Sequence, residues 1–111
     1  MKTNIMDIII QSLGFKASDN LDAFVREKVG NLTNHGDKIV RANVTMFKGA
    51  ESDHENCFCE IRLEVPGNDH FVKKSAEDYE QAVVETVNTL QKTLGREKEK
   101  ELSSRRPDTI M

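Results

Sequence analysis

Apolar and polar positions recur along this chain with two different periods, and the changes of period mark its elements. Asp7 to Leu13 opens with Ile8, Ile9 and Ile10. Three β-branched residues in a row favour a strand. A continuous run, in place of alternation, predicts a strand covered on both faces. Gly14 breaks the pattern. Ser18 is placed as a helix N-cap, with Asp19 and Asp22 where carboxylates suit the positive end of the helix dipole. Leu21, Phe24, Val25, Val29 and Leu32 then recur at spacings of three and four, one face of an amphipathic helix that Gly36 ends.

A period of two follows. Val40, Ala42, Val44 and Met46 alternate with Arg41, Asn43 and Thr45, so Ile39 to Phe47 reads as a strand. Lys48 to Asn56 is a polar loop holding Glu51, Asp53, His54 and Glu55. In the strand Cys57 to Val65, residues Cys57, Cys59, Ile61, Leu63 and Val65 face in, and Glu60, Arg62 and Glu64 face out with Phe58 beside them. Pro66-Gly67-Asn68-Asp69 is a turn, because Pro presets φ and Gly supplies φ > 0. So short a turn predicts an antiparallel pair, with His70 to Lys74 returning. From about Ser75 the period lengthens again. Tyr79, Val83, Val87, Leu90 and Leu94 form an apolar stripe with Ala82 and Thr86 alongside. A helix reaching Leu102 would be about 40 Å long, longer than the domain beneath it, so its end should project. Gly95 costs about 1 kcal/mol in a helix interior and is a place for it to fray or stop.

The order is β-α-β-β-β-α. A sheet with one apolar face needs a cover, and two amphipathic helices on one face of a four-stranded sheet provide it. The fold class is therefore α+β in two layers. The expected organisation is a single domain over residues 1–102 and a disordered C-terminal tail over 103–111, where no apolar pattern remains. Met6 is a second possible start residue, which would make residues 1–5 a loose extension.

Composition narrows the class further. The 111 residues can hide about two-thirds of the chain's surface, enough for one core. No run approaches the roughly 20 apolar residues of a membrane span, and Ile8-Ile9-Ile10 is too short for a signal peptide. A soluble cytoplasmic protein is expected. Cys57 and Cys59, two apart on one strand face, are poorly placed for a bridge and read as small buried groups in a reducing compartment. The sequons at Asn31 and Asn43 then carry no meaning.

Catalysis finds little support. HExxH, GxSxG, CxxC and Gly-rich phosphate loops are all missing from the sequence. His35, His54 and His70 fall in or beside turns. His54, Cys57 and Cys59 make three zinc ligands on paper, but a structural site wants four, and the loop histidine does not share the strand's inner face. No metal and no cofactor are expected, and no small-molecule substrate. Tyr79 lies on the core stripe, and with aromatics at 5% and no Trp, base stacking is not expected.

The charge is uneven. The net charge is −3, but residues 1–91 carry −5 and residues 92–106 carry +3. Lys92, Arg96 and Lys100 are spaced by four and line one helix face over about 12 Å. Arg26 and Lys28 lie toward the outer side of the first helix, and Lys73 and Lys74 lead into the second. Side by side, the two helices would present a shared basic strip able to track phosphates without reading bases. A solvated, salt-bridged helix end accounts for the same spacing.

At this point the chain resembles the ribosome hibernation promoting factor family, also called ribosome-associated inhibitor A or sigma-54 modulation proteins. The resemblance covers about residues 6–101. It lies in Ile8-Ile9-Ile10-Gln11-Ser12 with Phe15 and Ala17, in Leu21 to Val29 with Leu32, and in Asp37-Lys38-Ile39 before Ala42-Asn43-Val44. It continues in Cys59-Glu60-Ile61, Val65-Pro66-Gly67, Phe71-Val72-Lys73-Lys74, Asp78 to Val83, and Leu90 to Lys100. The resemblance implies a fold like that of double-stranded-RNA-binding domains. It implies binding to the small ribosomal subunit in the mRNA and tRNA path, which would inhibit translation and protect idle ribosomes under starvation or in stationary phase. The RNA-binding residues implied are Arg26, Lys28, Lys73, Lys74, Lys92, Arg96, Lys98 and Lys100, acting by steric occupation with no catalytic residue. The chain stops where long members continue, so it looks like a short form with no dimerisation domain evident. The alternatives are a general RNA-binding module and a transcription-related protein-interaction domain.

Overall fold

The structure is a computed structural model that describes residues 6–34, 39–52 and 54–105, and of Asn34 and residues 96–105 the backbone alone. Four strands, β1 (Asp7–Leu13), β2 (Arg41–Lys48), β3 (Cys57–Glu64) and β4 (His70–Ala76), form one sheet in the order β1-β2-β3-β4. β1 runs parallel to β2, and the other neighbours are antiparallel. A parallel pair needs a crossover, and helix α1 (Asp19–Gly30) supplies it. Helix α2 (Tyr79–Arg105) follows β4. It packs on β3 and β4, while α1 packs on β1 and against α2. The result is the expected two-layer α+β fold.

Local chemistry explains the element ends. The Ser18 hydroxyl accepts from the Leu21 amide at 3.1 Å, capping α1. Asp78 does the same for α2, accepting from the Gln81 amide at 2.8 Å. Gly67 stands at φ 93° and Asn68 N–H donates to the Val65 carbonyl at 3.1 Å, a turn that needs glycine in its third position. The core lies between sheet and helices. Ala42, Val44, Met46, Cys59, Ile61 and Leu63 from the sheet meet Val25, Val29, Leu32, Val83, Val87 and Leu90 from the helical layer. Each fully buried aliphatic side chain contributes about 1.5–3 kcal/mol.

Several boundaries differ from expectation, each for a physical reason. α2 starts at Tyr79, not Ser75, because Ser75 and Ala76 still pair with Phe58 and Cys57 of β3. It runs through Gly95 to Arg105, carried by the good helix formers around the glycine and reaching three residues into the expected tail. From Leu94, the last buried side chain described, the axis continues roughly 16 Å. α1 ends at Gly30 and tightens into a 3₁₀ turn, Asn31–Asn34, that keeps Leu32 buried. Gly36, the expected stop, lies outside the described residues, as do residues 106–111. β1 is not covered on both faces. It is a sheet edge whose side chains alternate, leaving Ile9 45% and Leu13 53% exposed. Val40 precedes β2 and is 53% exposed, although its backbone joins the ladder.

Candidate RNA-binding surface

The sheet has a helix-covered face and an open one, and the predicted cations divide between them. In the register, Lys74 pairs with Cys59, a core-facing position, so Lys74 belongs to the helical side. Lys73 pairs with Glu60 and belongs to the open side. Its ammonium lies 5.6 Å from the ring centroid of Phe58. A strand alternates, so two consecutive lysines cannot serve one strip. Lys73 is on the wrong face for the strip expected along the helices.

On α1, Arg26 is already engaged. Its Nε donates to Asp22 at 2.9 Å, one turn back, and its Nη1 donates to the Ile8 carbonyl at 3.4 Å. This ties α1 to the free edge of β1 and occupies an acceptor that an edge strand otherwise leaves open. Lys28 lies 5.6 Å from the Phe24 ring centroid on its own helix. Lys92 is exposed on α2, and Lys74 is exposed on the neighbouring strand. Arg96, Lys98 and Lys100 are carried on the α2 backbone, and their side chains lie outside the described set. Lys74 and Lys92 are therefore exposed on elements of the helical layer or the sheet face beneath it, with Arg26 and Lys28 carried on α1.

The other candidates resolve as core or surface. Cys57 and Cys59 are buried free thiols on one face. Burial pushes the Cys59 thiol up to about 11, so it holds its proton at neutral pH and is a poor nucleophile. His54 is exposed, and His35 lies outside the described residues. Among the described residues, no three His, Cys, Asp or Glu side chains gather as metal ligands. Among them, too, no helix is long and apolar enough to cross a membrane. Tyr79 packs against the core and stacks on Phe15, centroids 4.4 Å apart and planes within 10°. Burial pushes its hydroxyl pKa upward.

The open face gathers rings that the sequence reading did not assemble, although it had Arg62 and Glu64 facing outward with Phe58 beside them. Phe47 stacks on Phe58, and Phe71 is 54% exposed with the Arg62 guanidinium 5.9 Å from its centroid. Beside them Glu64 accepts from Asn43 at 2.8 Å and from Arg41 at 3.2 Å. The signal was the alternation of β3. Once Cys57, Cys59, Ile61 and Leu63 turn inward, Phe58 and Arg62 must turn out, and register places Phe47 and Phe71 beside them.

A mixed four-stranded sheet with both helices on one face defines a small two-layer α+β domain. The chain belongs to the family described as sigma 54 modulation protein / S30EA ribosomal protein, which matches residues 8–101. No curated protein matches it. Among solved structures, the Protein Y N-terminal domain of Thermus thermophilus is similar with a TM-score of 0.70 at 21% identity, over 82% of this chain and 98% of that one. A ribosomal subunit interface protein from Coxiella burnetii is similar with a TM-score of 0.74 at 16% identity, over 84% and 98%. These two share the fold.

Proposed function

We propose that this chain is a ribosome hibernation factor that binds the small ribosomal subunit through ribosomal RNA. The match to the sigma 54 modulation and S30EA ribosomal family over residues 8–101 is the observation that carries this reading. Exposed Lys74 and Lys92, together with Lys28 on α1, are the cations offered for phosphate contact, and Arg96, Lys98 and Lys100 follow in the sequence of α2. Such cations position a protein on RNA without selecting sequence. The bound domain occupies the path of mRNA and tRNA, inhibits translation and shields idle cytoplasmic ribosomes under starvation or in stationary phase. Obstruction needs no catalytic residue and no cofactor.

Cosedimentation with small subunits tests it. With about five phosphate contacts, affinity falls roughly 10²–10³-fold between 50 and 200 mM salt. The variant Lys92→Glu/Arg96→Glu/Lys100→Glu folds normally and stays in the supernatant. Equal pelleting of that variant removes the helical side from the account. A sucrose gradient of lysate from starved cells, probed for this protein, tests the stress role.

A further inference from the structure

The open face of the sheet is a grid whose columns are the strands and whose rows follow the register. One row is apolar across three strands, Leu13 beside Phe47 beside Phe58. Two rows further on, Ile9 and Phe71 stand exposed at the two edges of the sheet. Asp7, Glu60 and Glu64 against Arg41, Arg62 and Lys73 leave the open side of the four strands without net charge. Such a face does not draw a polyanion or any strongly charged partner. Opposite charges in equal number fit a surface that carries the same set.

A closed pair joins identical patches about a two-fold axis. With that axis parallel to the strands and between β2 and β3, β1 lies over β4 of the second copy, and β2 lies over its β3. Each row then faces itself in reverse. Ile9 covers Phe71 of the second copy, and Phe71 covers its Ile9. Phe47 meets Phe58, and Arg41 meets Glu64, the side chain that it already binds at 3.2 Å within one chain. Arg62 meets Asn43, Glu60 meets Thr45, and Lys73 meets Gln11. On the strands, no like charges come together. Asp69, just ahead of β4, approaches Asp7 at a corner, but Arg62 already pairs with it at 3.7 Å. An axis across the strands lays Phe47 over Arg41 and Phe58 over Glu64, which buries ions against rings without new partners.

We propose that the open sheet face pairs with the same face of a second copy of this chain, about a two-fold axis parallel to the strands. Aligned sheets pack in this way at about 10 Å. Four strands of up to eight residues give a footprint of about 19 by 26 Å, so roughly 1,000 Å² is buried in all, the low end for a specific interface. The dimer is therefore weak and follows protein concentration. Both helical layers point outward in it, so Lys74 and Lys92 stay uncovered.

The test is sedimentation equilibrium of the full chain up to about 0.5 mM, where a monomer–dimer equilibrium with Kd on the order of tens of micromolar is expected. Ile9→Glu sets a carboxylate against Phe71 at two places in the dimer, and Phe71→Lys sets an ammonium against Ile9 at the same two. Each variant weakens association at least about 100-fold, tenfold for each buried unpaired charge. Both positions are exposed, so the far-UV circular dichroism of each variant matches the wild type. An equimolar mixture of the two recovers association to within about threefold, because the mixed pair holds one Ile9–Phe71 contact and one Glu–Lys pair. A wild type that stays monomeric at the highest concentration overturns the inference. So does either variant associating as the wild type does, or a mixture no better than its components. A monomeric wild type that binds oligoadenosine, with the affinity lost in Ile9→Glu, overturns it too and gives the face to RNA. Neither variant lies on the helical side, so failure here leaves the ribosome reading standing.

Discussion

The ring of Phe58 lies on the ring of Phe47 across the β2–β3 pair, centroids 5.1 Å apart and planes within 2°. Its Cε1 edge closes on Gly49, where an added Cβ would stand 2.5 Å from that ring carbon. The ring cannot retreat without breaking the stack, so Gly49→Ala destabilises the fold by about 1–3 kcal/mol in urea unfolding. In a Phe58→Ala background the same change costs nearly nothing, because the clash partner is gone. An additive double mutant would show that the glycine matters for another reason.

Glu64 gives the fold an acid-sensitive contact. The Asn43 amide, first, and the Arg41 guanidinium hold its carboxyl below the usual carboxylate range. A carboxyl lowered on folding adds stability above its unfolded value, about 4.3, and that share disappears as pH falls through the folded value. Glu64→Gln is therefore less stable than the wild type at pH 7, and the two converge at pH 3. Urea midpoints at both pH values read this. A gap that persists at pH 3 assigns the loss to packing.

Cys59 moves the opposite way. Burial first, then the Glu60 charge, raises its thiol from 9.0 to about 11 against the lowering contact of Thr86. A raised acid leaves stability whole below the unfolded value and removes it as pH climbs from about 9 to about 11. Both cysteines stay unlabelled by a thiol reagent at pH 8 in the native protein and react together in urea. Thiolate absorbance and unfolding then rise in one transition in that alkaline window. Fast native labelling of Cys59 would show that the sheet opens beneath α2.

Much of this was legible because the deciding forces are local. Ser18 capped the first helix as its side-chain chemistry requires, and the alternation from Cys57 to Leu63 marked both the strand and its inner face. What escaped was set by partners distant in the chain. Ile8, Ile9 and Ile10 have the propensity of a buried strand, but only topology makes β1 an edge with one face bare. Ser75 and Ala76 suit a helix start as well as a strand, and pairing with Phe58 and Cys57 decides for the strand. At the site, the basic residues of α2 were visible as a spacing of four. The division of Lys73 from Lys74 was not, because it needs the register that assigns one to Glu60 and the other to Cys59.

That division sets the last test. If the helical side meets ribosomal RNA, neighbouring lysines on β4 must behave differently. Lys74→Gln removes one phosphate contact and lowers the slope of log affinity against log salt by roughly 0.7–0.9. Lys73→Gln leaves the slope and the ribosome affinity unchanged, because its side chain stands on the opposite face near Phe58. Both sites are exposed, so neither change unfolds the domain, and glutamine avoids a like-charge pair with Glu60. Cosedimentation over four salt concentrations gives both slopes. Equal losses would mean that RNA wraps both faces of the sheet, and a loss confined to Lys73→Gln would turn the domain over in its binding site.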